Sequence, residues 1–342
     1  MKKLISVLLI ALILCSTCLF SGCDLFDALT DMFPTTYSSP EKYTAGNTEF
    51  EGKVDLLSIW WQYGTVTLRT HKENTVKIEE TANQEIDEKF TLHWRYYNAS
   101  DYGQVLYIQF SESGNFDFGD LKKDLVVYLP ENDNMDIAIN SKAALVDMDV
   151  SGFENTLKEL HVLTESGKVS VKVDSADEVW ISGQNDEGIP EENREFCFRA
   201  NGTVSSLGIS ASYAKVDVAV NQVYSGEVGT VFNDLYFYAD EARNLNLNNS
   251  DGKIYATILA FESLDVETFS APCELTLSPD ASFVLTLKEK DQFNHKTTPT
   301  SVSVEFEDMT QSGSQYTVGS GEKKITIASN SEIRILPLKL AE

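Results

Sequence analysis

The 342-residue sequence predicts an all-β chain, and three observations predict it. Apolar and polar residues alternate over short segments such as Lys168-Val169-Ser170-Val171-Lys172-Val173, the two-residue period of a half-buried strand. Clusters of Gly, Asn, Asp and Ser separate these segments, and no long stretch carries a helical period. Apolar-polar-apolar triplets also recur at one offset of 19 residues. Leu160-His161-Val162 returns as Val179-Trp180-Ile181, Val216-Asp217-Val218 as Leu235-Tyr236-Phe237, and Leu245-Asn246-Leu247 as Leu264-Asp265-Val266. A period near twenty residues predicts a β-solenoid, whose coils stack and bury a continuous apolar interior. The alternative is a β-sandwich, in which strands also recur every 8 to 12 residues.

Residues 1–22 read as a signal peptide: Met1-Lys2-Lys3 supplies the positive start, Leu4 to Phe20 the apolar run, and Ser21-Gly22 the small-residue processing site. The run is too short to span a membrane comfortably. Phe20-Ser21-Gly22-Cys23 resembles the bacterial lipobox, with Phe20 where an aliphatic residue is usual. The resemblance implies that Cys23 is the lipid-bearing N-terminus of an exported protein. Two acyl chains suffice for stable anchoring where one is marginal. The alternative, an uncleaved anchor helix, also exports and tethers the chain.

Residues 23–45 read as a lipid-anchored polar linker, turn-rich around Pro34 and Pro40 and continuing in polar sequence to Gly52. Residues 46–342 read as the repetitive β domain. Within it Thr65–Thr70, Thr75–Glu79, Val105–Phe110, Met135–Ile139 and Val302–Phe306 alternate as strands. Only Phe153 to Leu160 and Asp240 to Arg243 offer a helical turn. Ser-Gly or Asp-Gly turns precede strands at Gly167, Gly226 and Gly252, where glycine permits the backbone geometry. Gly183 to Arg194, rich in acids and Asn, reads as a loop projecting from one coil.

A formal charge of −26 argues against nucleic acid and against an anionic bilayer surface, both of which repel it at long range. Cationic partners or divalent ions fit that charge, as does plain solubility. After processing, only Cys197 and Cys273 remain in the folded part, too few for a disulfide framework. Two separate buried thiols are the favoured reading, one disulfide the alternative.

The search for chemistry yields no catalytic residues, no cofactor-binding residues and no metal ligands. His71, His93, His161 and His295 are scattered, no Gly-x-Ser-x-Gly elbow occurs, and no phosphate-cradling loop is present. Asp147, Asp149 and Asp217 lie in strand-like segments and could meet across coils as a sugar-cleaving carboxylate pair. Gly114–Asp120 and Gln184–Gly188 offer oxygen ligands on turns without EF-hand spacing. Trp60-Trp61, Trp94 with Tyr96-Tyr97, and Tyr236-Phe237-Tyr238 should each place one aromatic outward, to stabilise the sheet or to meet a sugar or protein.

The alternating strand Asp124–Pro130 ending in Leu-Pro, the Ser-Gly-Lys-Val turn before Val169, and the close at Tyr316–Gly321, Lys324–Ile327 and Glu332–Ile335 together resemble a family of bacterial envelope proteins known as putative adhesins. The resemblance covers nearly the whole exported chain, although Ser329-Asn330-Ser331-Glu332 stands where the family often has Ser-Gly. It implies a β-helix-like fold and a surface location, and brings no catalytic residues. The expected function is that of a non-enzymatic, membrane-anchored extracytoplasmic scaffold contacting an envelope protein or a glycan. A carbohydrate-active hydrolase or lyase on a β-helix is the alternative.

Overall fold

The structure, a computed structural model, describes residues 36–132, 134–185, 188–291 and 295–339. Alternation over the centre of the chain becomes four long strands, Glu195–Ser212, Lys215–Val231, Leu235–Asn249 and Ile254–Thr268. Each lies parallel to the next and in register, so that Val216 sits beside Leu235 and Leu235 beside Ile254. All three triplet pairs read from the sequence are such neighbours: Val179 beside Leu160, Leu235 beside Val216, Leu264 beside Leu245. A residue and its counterpart in the next repeat therefore share one environment, which is why the same residue type recurs there.

Each long strand serves two walls. In Leu235–Asn249 the buried apolar positions are Leu235, Phe237 and Ala239, then Ala242, then Leu245 and Leu247. The ladder to the preceding strand is interrupted at Asp240 and Arg243, the points where burial changes phase. The helical turn expected at Asp240–Arg243 is thus extended chain turning a corner, and the three-residue spacing of Ala239 and Ala242 comes from that corner. Phe153 to Leu160 is likewise a turn leading into the strand Leu157–Ser166.

One interior position is polar all along the stack. Ser141, Thr164, Thr230, Asn249, Thr268 and Ser329 belong to one row, with Gly183 and Ala211 in register between them. Each polar member ties down a turn. Thr230 Oγ1 donates to Ala214 O at 2.7 Å, Thr268 Oγ1 to Ala271 O at 2.6 Å, and Asn249 Nδ2 to Asn233 O at 2.8 Å while its Oδ1 accepts Gly252 N–H at 3.0 Å. Buried backbone groups at a tight turn need such partners. Gly252 is required there, because a Cβ would sit 1.8 Å from Asn233 O.

The N-terminal end is covered by antiparallel strands. Thr75–Ala82 pairs with Lys123–Pro130, and His93–Ala99 with Gly103–Gln109, beside the long strand Leu56–His71. A covered end leaves no open ladder for another chain to extend. The end of the stretch read as a linker over 23–45 packs against the domain. Tyr37 Oη donates to Ser111 O at 3.0 Å, its ring lies 4.4 Å from that of Tyr43, and Thr44–Ala45 and Thr48–Glu51 pair with the domain. Polar residues here close an edge, because an edge strand tolerates polar side chains on both faces. Residues 1–35, with the signal segment and Cys23, lie outside the described residues. Cys197 and Cys273 are free thiols: Cys273 is buried, and Cys197 is half-buried rather than fully covered.

Candidate functional site

The outward side chains of the stack form two walls of different character. On the first, one row passes in register through Asp147, Ser170, Cys197, Asp217, Tyr236 and Tyr255. Asp147 and Asp217 are therefore three strand steps apart, roughly 14 Å at about 4.8 Å per step. That exceeds the separation of about 5–9.5 Å at which two carboxylates share a glycosidic bond. Asp147 and Asp149 are closer, on one strand, but each has its own cation: Arg69 for Asp147 and Lys172, at 3.4 Å, for Asp149. Asp217 is held by Arg199 at 2.8 Å and Lys215 at 3.6 Å. Burial would raise the Asp149 carboxyl, but the Ser151 hydroxyl and amide and Lys172 outweigh it and hold the pKa below its ordinary value. The three carboxylates singled out in the sequence do not converge.

Farther along this wall the alternation places two aromatics, Tyr236 and Tyr238, outward and buries Phe237, where one outward ring was expected. Tyr236 stacks on Tyr255 at 5.2 Å, with Lys215 Nζ 5.2 Å from its ring, and Tyr238 Oη donates to Asp240 at 2.7 Å. These rings already have partners. Trp60 and Trp61 are both buried, and Trp94 stacks on Phe50 at 5.7 Å, so neither group presents an open aromatic face.

The second wall carries a groove of about 450 Å³. One outward row runs in register through His161, Trp180, Gly208, Glu227, Asn246 and Asp265. Gly208 sets the pose of Trp180, because a Cβ at 208 would lie 2.1 Å from the indole Cε3. The Cε3–Cζ3 edge of the ring therefore sits against bare backbone, and the indole lines the groove. The adjacent row is Glu159, Glu178, Ser206, Ser225, Asn244 and Ser263. From Trp180 to Thr326, the last strand of the groove, the floor crosses five steps, roughly 24 Å.

Ser263 Oγ donates to Asn244 Oδ1 at 2.8 Å and Asp265 holds Lys288, but other groups in and beside this groove are short of hydrogen-bond partners. Among the described residues Glu178 and Glu227 make neither a hydrogen bond nor an ion pair, and burial pushes both carboxyl pKa values up. The Glu159 carboxyl is raised by burial and by the charges of Asp136 and Glu178. Asn246 Oδ1 and Asn248 Oδ1 are buried and accept no hydrogen bond. His161, beside Trp180, is 6% exposed; neither ring nitrogen makes a hydrogen bond, Nε2 lies 3.8 Å from Glu159 Oε2, and burial pushes the imidazole down to about 4. The imidazole is therefore neutral at pH 7.

Neither turn considered for calcium gains support. Asp117 Oδ1 accepts the Gly119 N–H at 3.0 Å, and Asp186 and Glu187 of the other turn lie outside the described residues. Among the described residues no group of three or more His, Cys, Asp or Glu is placed to hold a metal. The groove residues were passed over in the sequence because they carry no motif. The one available signal was Leu207-Gly208-Ile209, a glycine interrupting an alternating strand, which marks a close approach.

Solved structures of bacterial putative adhesins are similar to this chain. One from Parabacteroides merdae shares 10% identity over 87% of this chain and 97% of its own, with a TM-score of 0.47. A putative adhesin from Bacteroides fragilis shares 10% identity over 86% and 98%, with a TM-score of 0.33. A putative cell adhesion protein from Clostridium sporogenes shares 10% identity over 87% and 100%, with a TM-score of 0.21. No protein-family model matches the chain, and no curated protein does. At these identities and TM-scores the neighbours transfer no function, so the functional reading rests on the groove.

Proposed function

We propose that the chain is a lipid-anchored, extracytoplasmic β-solenoid that acts as a non-catalytic binding scaffold of the cell envelope, taking an extended glycan in the groove of its second wall. The in-register parallel pairing at the 19-residue offset supports stacked coils, with antiparallel strands closing the N-terminal end. The observation that carries the binding reading is Trp180 set with its Cε3–Cζ3 edge against Gly208 at one end of a groove floored by amides, hydroxyls and carboxylates. A flat aromatic among convergent polar groups is how a sugar ring is held without chemistry. The faces of the strands have spent their backbone hydrogen bonds on one another, so recognition falls to side chains.

Anchoring rests on the lipobox resemblance at Cys23, and among the described residues no helix is long and apolar enough to cross a membrane. Replacing Cys23→Ser is expected to move the chain from the detergent phase to the aqueous phase on detergent partitioning. Retention in the detergent phase would overturn the lipid anchor. Glycan binding is tested by titrating envelope polysaccharides against the full chain and its Trp180→Ala variant, with loss of binding in the variant expected.

One observation favours a second reading, a carbohydrate-active enzyme. Glu159 and Glu178 are in-register neighbours with raised pKa values, at a strand spacing near the carboxyl separation of about 5–5.5 Å found in retaining glycosidases. Release of reducing ends from a bound polysaccharide, lost in Glu178→Gln, would establish it in place of the binding scaffold.

A further inference from the structure

Resting on the reading of this groove as a glycan site, we infer that its ligand is a polysaccharide bearing free amines, whose ammonium groups sit between Glu178, Glu227 and the face of Trp180. Trp180 and Glu178 lie two residues apart on one strand and face the same way, and Glu227 lies two strands on, with the indole over the Gly208 that separates them. The arrangement is a carboxylate, an aromatic face and a carboxylate in sequence, the surroundings a cation seeks.

The groove offers acceptors in excess of donors. Glu178 and Glu227 have no cation among the described residues, whereas the outward acids of the first wall, Asp147, Asp149 and Asp217, are each paired. Asp265, farther along the groove, already holds Lys288 at 2.7 Å. Among the described residues Lys324 is the one cation lining the groove. Asn246 Oδ1 adds a buried acceptor without a donor. Burial makes ionised Glu178 and Glu227 costly, and an ammonium beside each removes that cost. The chain as a whole, at −26, draws cations toward it and repels acidic polysaccharides.

A polymer of amino sugars fits better than a basic peptide. An extended peptide gains affinity by main-chain pairing with a sheet edge, and the floor of this groove is a sheet face whose backbone groups are already bonded. Rings laid on Trp180 and bonded through hydroxyls and amines to Ser206, Ser225 and Asn244 use what that face presents.

The test titrates the full chain with three probes: a glucosamine hexamer, its fully N-acetylated counterpart, and an oligolysine of equal charge. The glucosamine hexamer is expected to bind at least tenfold more tightly than the acetylated one, with affinity falling as salt rises. Glu227→Gln and Glu178→Gln, which preserve side-chain shape, should each weaken it by roughly tenfold, the loss of one charge-assisted hydrogen bond. Unchanged melting temperatures in these variants exclude a folding defect. Equal binding of the two hexamers would overturn the amine inference and leave the glycan groove standing. Binding of neither hexamer would overturn both. Oligolysine binding as tightly as the glucosamine hexamer, without loss in Trp180→Ala, would overturn the inference in favour of general charge attraction.

Discussion

Replacing Lys123→Met should cost the protein about 3–5 kcal/mol, because it strands a buried carboxylate. Lys123 is 0% exposed and its Nζ lies 2.6 Å from Glu80 Oε2, itself 5% exposed. The ammonium also donates to Phe90 O at 2.7 Å and to Phe110 O, and sits 4.3 Å and 5.0 Å from the rings of Phe110 and Trp61. Glu80 Oε1 accepts the Leu92 N–H at 2.6 Å. One lysine thus holds together the antiparallel strands that cover the N-terminal end. Removing it alone leaves Glu80 uncompensated and two carbonyls without a donor, whereas Glu80→Gln with Lys123→Met removes both charges and keeps an acceptor for Leu92. The double variant should therefore be more stable than the sum of the single costs by about 2 kcal/mol or more, measured as urea midpoints in a double-mutant cycle.

The same lysine carries a pH signature. Burial lowers its pKa to about 8, with Glu80 opposing the shift. Between pH 8 and 10.5 the unfolded chain holds the proton that the folded chain has released, so this group makes stability rise with pH across that window. The difference between wild type and Lys123→Met should change over that range in that sense. Additive single and double costs, or a difference flat with pH, would refute the claim that the pair is buried and coupled.

Three further outcomes are expected. His161, pushed down to about 4 by burial, makes stability fall as pH drops from 6.5 to 4, by about 3 kcal/mol; urea midpoints at pH 7 and 4.5 should converge in His161→Phe relative to wild type. Asn249→Ala removes the partners of Asn233 O and Gly252 N–H and should cost about 1–3 kcal/mol in denaturant midpoint. Asn249→Thr should cost less, since Thr230 and Thr268 fill the same row in neighbouring repeats. Gly208→Ala drives the Trp180 ring off the strand, and should shift its fluorescence and abolish groove binding at a stability cost of about 1–3 kcal/mol.

The all-β class was legible because alternation is a local property: each of Val216, Val218 and Val220 declares its side without reference to any other strand. The repeat was legible for a related reason. In-register stacking gives Leu160 and Val179, or Leu245 and Leu264, the same buried surroundings, and composition follows surroundings. The Asp240–Arg243 corner misled because a phase slip between two walls has the spacing of a helical turn. The pairing of Thr44–Ala45 and Thr48–Glu51 was not legible, because they are polar edge strands whose partners lie far along the chain.

By itself the sequence determined that the chain is all-β, repetitive and strongly acidic, since those properties are written residue by residue. Only the tertiary structure decided which acids stand paired and which stand alone. Asp147, Asp149 and Asp217 looked like candidates and are neutralised by Arg69, Lys172 and Arg199, all three drawn from other strands of the stack, 78, 23 and 18 residues away along the chain. Trp180, Glu178 and Glu227 looked ordinary and share a groove, because stacking brings residues dozens of positions apart to within a few strand steps and a glycine at 208 leaves room for the indole.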